Sequence, residues 1–188
     1  MVAAAVVAAG LWLVVSPSVR ASLVLAMDLS ELVKEAQVVV LARVMGQRSS
    51  YDERGRIVTD VQMQVEQAEK GDLAPGASVV VRKLGGAVNG VSMRIEGEPS
   101  FTVGETVLLF GSDPQQRALL RPVGMSQGAL RVFERDGARW VRSGTSNLAL
   151  VKKSAGTLTP QPAAVEEPRP LDDVLGEIRS LVAQTKQK

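Results

Sequence analysis

From Ile57 to Val65 the odd positions hold Ile, Thr, Val, Met and Val, while Asp60, Gln62, Gln64 and Glu66 hold even ones. That period of two predicts a strand with one buried face and one wet face. After Gln67 the parity slips and Ala68 becomes the small apolar residue, so a β-bulge or the end of the strand is expected there. Lys70-Gly71-Asp72 and Pro75-Gly76 then turn the chain into a second strand, Ser78 to Leu84.

Upstream, Asp28 stands three residues before Glu31, the spacing of a capping box, and Leu29, Leu32, Val33 and Ala36 follow at helical spacing. A short helix is expected there. The run from Gln37 to Met45, QVVVLARVM, is β-branched and predicts a strand buried along most of its length. A polar loop, QRSSYDERGR, follows Gly46 and carries Tyr51. Ser22 to Ala26 is short and apolar, and is expected to pair onto the edge of the barrel described below.

Downstream, Asn89-Gly90 between Val88 and Val91 is a tight-turn signal, because both residues tolerate positive φ. Gly104-Glu105 precedes an apolar strand from Thr106 to Phe110. A second β region is expected from Ala118 to Val151, with Asp136-Gly137 as another hairpin signal. Arg131, Arg135, Arg139 and Arg142 lie at strand spacing and read as a solvated outer face, with an anion site as the alternative.

Residues 152–170 carry four prolines and read as an extended linker. After Pro170 a helix is expected over 171–185. Leu171, Val174, Leu175, Ile178, Leu181 and Val182 form one apolar stripe along it. Docking of that helix on its own chain is the default expectation, and a partner's surface is the alternative.

The amino terminus has a different pattern. Residues 2–15 form an apolar run, followed by Ser16-Pro17-Ser18 and Val19-Arg20-Ala21. A run this short, ending in small residues, is expected to be a signal peptide over 1–21, cleaved after Ala21, with cleavage after Ala26 as the competitor. The expected location is therefore secreted or periplasmic, with membrane contact only through an uncleaved leader. The expected organisation is a β-barrel domain over 22–151, the linker, and the helix.

Composition narrows the chemistry. The chain of 188 residues contains no cysteine and no histidine, which argues against disulfides, thiol nucleophiles and the usual zinc or haem ligands. Aromatic residues make up 3%, so the core must be aliphatic. The 22 basic and 20 acidic residues nearly balance and imply no nucleic-acid partner. Gly124-Met125-Ser126-Gln127-Gly128 has the outline of a nucleophile elbow, yet no histidine exists to act as its base. The carboxylate pairs Asp52-Glu53, Glu96…Glu98 and Asp172-Asp173 read as a loop, a turn and a helix start. No catalytic residue, cofactor or metal ligand is expected.

The order of elements carries a resemblance. A small helix, a strand like QVVVLARVM, a long strand ending in Glu69-Lys70-Gly71, and the passage through Gly90-Val91 to Gly104-Glu105 and VLLFG follow one another. This order over residues 22 to 111 resembles the netrin-like OB-fold of the tissue inhibitors of metalloproteinases. The mature chain also looks like a set of exported bacterial proteins sharing the KG…PG…GG…GE-x-VLLF pattern and MSQG. The resemblance implies a mostly β protein: a five-stranded OB-like barrel with extra C-terminal hairpins, a short N-terminal helix and a C-terminal amphipathic helix. Netrin-like inhibitors chelate a protease's zinc through an amino-terminal cysteine held by disulfides, and this chain departs from that pattern in having no cysteine.

The resulting expectation is an exported, non-enzymatic binding module. Its expected partner is a protein, an extracellular protease being the candidate, with a carbohydrate or envelope polymer as the alternative. Ser22, Tyr51 and Asn89 are the candidate contact residues.

Overall fold

The computed structural model describes residues 23–113, 119–144, 149–154, 156–163 and 165–185. The expected signal peptide and Ser22 lie outside the described residues. In chain order the elements are β1 (Leu23–Leu25), α1 (Leu29–Glu35), β2 (Val38–Tyr51), β3 (Ile57–Lys70), β4 (Ser78–Leu84), β5 (Gly86–Val88) and β6 (Val91–Met93). They continue with β7 (Thr106–Ser112), β8 (Leu119–Pro122), a 3₁₀ turn at Met125–Gly128, β9 (Ala129–Arg135) and β10 (Ala138–Ser143). Last come β11 (Ala149–Ser154), β12 (Thr157–Pro160), β13 (Arg169–Pro170) and α2 (Leu171–Thr185). The protein is mostly β with two helices, as the sequence pattern predicts.

Local chemistry explains most of the boundaries. Asp28 caps α1 by accepting the Glu31 backbone N–H at 2.9 Å, and the Glu31 carboxylate accepts the Asp28 N–H at 2.8 Å. The two hairpin dipeptides also behave as expected. Asn89 and Gly90 take φ of 50° and 80° between β5 and β6, and Asp136 and Gly137 take 52° and 74° between β9 and β10. The expected irregularity near Gln67 is present, and β3 continues through it. Val40 pairs with Ala68 but Val39 with Lys70, and Leu41 pairs with Gln67 but Ala42 with Val65, so Glu69 and Glu66 are extra residues on β3. Bulges of this kind bend and twist the strand that carries them.

Eight strands pair in the order β13-β10-β9-β7-β2-β3-β4-β8, and β8 also pairs back onto β7 through Gly111–Pro122 and Ser112–Arg121. The pairings of β2, β3, β4, β8 and β7 therefore close on themselves. All are antiparallel except β4–β8. Two cores lie on either side of this set. Val40, Ala42, Val61, Met63, Val65, Val81, Val107 and Leu109 fill one of them. Val39, Leu41, Leu108 and Phe110 point the other way and pack with Leu32 and Val33 of α1 and with Leu175 and Ile178 of α2. Strands β2 and β7 are thus buried on both faces, which is why their sequences are nearly continuous apolar runs.

The helix α2 docks on its own chain, burying Leu171, Val174, Leu175, Ile178 and Val182. Each such side chain contributes about 1.5–3 kcal/mol. The segment read as an extended linker is more structured than its prolines suggest. Lys152 to Pro160 completes a β11–β12 hairpin, and Val165 is buried in the core beneath the helices. Proline suits an edge strand whose N–H faces outward, and Pro160 ends β12 at such an edge. The amino-terminal strand also differs from expectation. Leu23–Leu25 pairs in parallel with β11, in a separate three-stranded sheet of order β1-β11-β12. It does not pair with the strand that follows it in the chain, because β2 is already flanked by β3 and β7.

Candidate functional site

The long hairpin of β2 and β3 ends in a turn from Asp52 to Arg56, and its geometry is set by one carboxylate. Asp52 Oδ1 accepts the backbone N–H groups of Arg54 and Arg56, both at 2.9 Å. Its Oδ2 accepts Arg56 Nε at 2.9 Å and Nη2 at 2.7 Å. The guanidinium and these amides hold the Asp52 carboxyl down to about 2. Beside this turn, Arg82 on β4 forms a fork with Asp60 on β3, Nε to Oδ1 and Nη2 to Oδ2, each at 2.6 Å. Arg56 and Arg82 are thus neutralised locally. Among the described residues neither Arg54 nor Arg121 has a carboxylate within ion-pair reach. Tyr51, Arg54, Arg82 and Arg121 line a depression of about 340 Å³.

A second depression, of about 190 Å³, shares Arg82 and Arg121 with the first and is completed by Lys83, Leu84, Glu98, Pro122 and Met125. Glu98 is half-buried here, and that desolvation raises its pKa even though the Leu84 N–H, Lys83 and Arg121 favour its charge. Lys83 is pushed down by the same burial, against the pull of Glu98. A third and larger cleft, of about 740 Å³, shares Lys83, Leu84 and Glu98 with the second and runs on to Arg94, Ser126, Arg131 and Arg142. The three depressions share lining residues from one to the next and form a row of neighbours, a trough, from the Tyr51 end of the hairpin to the 3₁₀ turn.

The floor of the trough near the 3₁₀ turn is held from several sides. Gly124 and Met125 have φ of 61° and 64°, two consecutive left-handed residues, of which only the first is glycine. The Ser126 N–H donates to Gly97 O at 2.9 Å. A side chain at Gly128 would strike the Val123 carbonyl. Gln127 is 1% exposed. Its Oε1 accepts the Met27 N–H at 2.9 Å, and its Nε2 donates to Leu25 O at 3.0 Å and to Gly124 O at 3.2 Å. Ser126 is buried as well, and its hydroxyl has no hydrogen-bond partner among the described residues.

Of the candidate contact residues, Tyr51 is 48% exposed and stands at one end of the trough. Asn89 sits at the tip of the β5–β6 hairpin and is absent from the trough lining. Ser22 lies outside the described residues. Of the carboxylate pairs, Asp52 organises its turn, Glu96 pairs with Arg94 at 3.2 Å, and Asp172 and Asp173 occupy the first turn of α2. Sequence reasoning missed Arg82, Lys83, Glu98 and Arg121 as neighbours, because β4 and β8 meet only through a parallel pairing between distant segments. The MSQG segment was visible in the sequence, but its seat at the trough was not.

Comparison with protein-family models, with curated proteins and with solved structures finds no match.

Proposed function

We propose that this chain is an exported, non-enzymatic binding module that holds an extended carbohydrate or other envelope polymer in the trough from Tyr51 to Ser126. The observation that carries this reading is the row of three neighbouring depressions, which share Arg82 and Arg121 and then Lys83, Leu84 and Glu98 as lining residues. The lining is dominated by charged and hydroxyl groups, with Tyr51 as its single aromatic, which suits a hydroxyl-rich ligand more than a stack of nucleobases.

Behind the trough we read an OB-type barrel with the netrin-like order of elements. Support comes from the closed pairing order β2-β3-β4-β8-β7, with β4–β8 as its parallel member. OB-folds bind oligosaccharides and oligonucleotides on the face of their second and third strands and on the loop joining the first two. The corresponding parts here are β3, β4 and the turn from Asp52 to Arg56. Export is supported by the apolar run at 2–15 and the small residues after it.

A protein partner, such as an extracellular protease, is a second reading with its own observation. Strand β1 is an edge strand, and Leu23 and Leu25 on it are 61% and 59% exposed. Such an edge is a template for strand addition by another chain. Affinity capture with the chain from Ser22 onward, from culture supernatant and from envelope extract, tests both. Recovery of polysaccharide is the result expected from the trough. Recovery of protein alone, abolished by Leu23→Lys with Leu25→Lys, would replace the first reading with the second.

A further inference from the structure

Strand register gathers a set of apolar side chains on one face of the small three-stranded sheet. Leu23 stands opposite Ala149, and Leu25 opposite Val151, across the parallel pair of β1 and β11. Val151 in turn stands opposite Pro160, and Lys153 opposite Leu158, across the β11–β12 hairpin. Ladder partners share a face and successive residues alternate between faces. Leu23, Leu25, Val151, Leu158 and Pro160 therefore form one surface, with Lys153 among them. Leu23, Leu25 and Leu158 are 61%, 59% and 51% exposed, three of the seven large apolar side chains left exposed among the described residues. The other face carries Val24 and Leu150, and Leu150 is buried and lines the large cleft. The leucine face is thus the outward one.

The segments that build this sheet carry charge of one sign. Neither residues 1–27 nor residues 149–164 contain an aspartate or glutamate, and their cations are Arg20, Lys152 and Lys153. Lys152 and Lys153 are exposed, and neither forms an ion pair among the described residues. Lys152 lies on the other face, where its charge reaches Asp28, the cap of α1. A second copy of the leucine face would set Lys153 against apolar and cationic groups, and burying a cation without a partner is costly. An anionic bilayer surface supplies both missing partners: an acyl boundary for the leucines and phosphate oxygens for an ammonium on a long stem. The chain also brings the two together. The apolar run over 2–15 ends at Val15, and the chain from Val15 to Leu23 spans at most about 28 Å. In an exported chain, the segment that engages the membrane is therefore tied within that reach of the leucine face.

We infer that the outward face of the β1-β11-β12 sheet seats the protein on an anionic phospholipid bilayer. Leu23, Leu25 and Leu158 enter the acyl boundary, and Lys153 stays at the headgroup phosphates. Contact with a membrane then does not depend on an uncleaved leader. This rests on the export reading and is independent of what the trough holds.

The test is cosedimentation of the chain from Ser22 onward, which keeps every described element, with vesicles of phosphatidylglycerol and phosphatidylcholine and with vesicles of phosphatidylcholine alone. Leu23→Gln with Leu25→Gln on β1, and Leu158→Gln on β12, reach the same face from different strands, so a fault confined to one strand does not decide the result. Met45→Gln, 53% exposed on β2 of the large sheet, is the control for general apolar attraction. Expected is binding to the anionic vesicles, weakened about tenfold on phosphatidylcholine alone and in the β1 double variant, about threefold in Leu158→Gln, and unchanged in Met45→Gln. Melting temperatures of all variants should match the wild type, since these side chains already meet water. No binding to either kind of vesicle overturns the membrane face, and so does binding that both leucine variants retain. A concentration-dependent dimer in sedimentation velocity, abolished by both leucine variants, overturns it too, because the face then belongs to a second copy. Cell fractionation of the full chain reads export separately. A chain recovered outside the cytoplasm that ignores vesicles overturns the membrane face alone, whereas a chain retained in the cytoplasm overturns export and the membrane face with it.

Discussion

Arg179 of α2 reaches Glu69 of β3 across 110 positions of sequence, Nε to Oε2 at 2.9 Å and Nη2 to Oε1 at 3.2 Å. The Glu69 side chain is only 4% exposed and is the residue that the bulge expels from the β2–β3 register. Gln67 Nε2 donates to the same carboxylate at 2.6 Å. An irregularity in one strand thus becomes the anchor for a helix from the other end of the chain. Arg179→Ala is expected to lower the melting temperature by less than Leu175→Ala, since Leu175 is buried in the helix core and its truncation should cost about 2–5 kcal/mol. Urea unfolding of the two variants checks the ranking, and an equal loss would mean that the ion pair contributes as much to seating the helix as Leu175 does.

Gln127→Ala leaves the Met27 N–H and the Leu25 carbonyl without their side-chain partner. The expected cost is about 1–3 kcal/mol. Hydrogen exchange at Met27 should accelerate far more than at Val40 in the centre of β2. If both amides exchange as in the wild type, Gln127 does not tie β1 to the body of the protein.

Gly86 has φ of 136°, and a side chain there would strike the hydroxyls of Ser49 and Thr59. Those hydroxyls lie 2.9 Å apart, and Thr59 donates to Gly85 O at 2.6 Å. Gly86→Ala is expected to destabilise by more than Gly76→Ala, a site with a strained φ of 87° but open space, where about 1 kcal/mol is expected. Thermal melts of the two variants decide whether the close approach adds to the backbone strain.

Burial raises the folded pKa of Glu98 above its ordinary value of 4.5. The folded state therefore binds this proton more tightly than the unfolded chain does. Ionised Glu98 costs stability above its folded pKa, and the cost is relieved as pH falls through the folded pKa toward 4.5. Glu98→Gln should accordingly be at least as stable as the wild type at neutral pH, with the difference shrinking as the solution is acidified through that window. Denaturant midpoints from pH 7 to pH 4 measure this. A difference that grows on acidification would show that the attraction of Lys83 and Arg121 outweighs desolvation.

Much of the fold was legible in the chain because its determinants are local. The capping box at Asp28 and Glu31, the Asn89-Gly90 and Asp136-Gly137 turns, the alternation of β3 and the stripe of α2 involve residues a few positions apart. The prolines between Lys152 and Pro170 misled for the opposite reason. They forbid helix and central strand locally, but Val165 and the β11–β12 hairpin are ordered by surfaces contributed from elsewhere in the chain. The site was barely legible. Tyr51 stood out as the single tyrosine, whereas nothing in the spacing of Arg82, Glu98 and Arg121 marks them as neighbours.

By itself the sequence determined both helices and most strands up to Ser143, the aliphatic core and the chemistry excluded by the absence of cysteine and histidine. It determined these because side-chain period, turn dihedrals and reactive-group inventory are properties of short segments. Only the tertiary structure decided that β8 returns to both β4 and β7, that β1 joins β11, and that Arg131 stands opposite Arg142 across β9 and β10. Those relationships depend on register between distant strands, where a shift of one residue would turn every side chain to the other face.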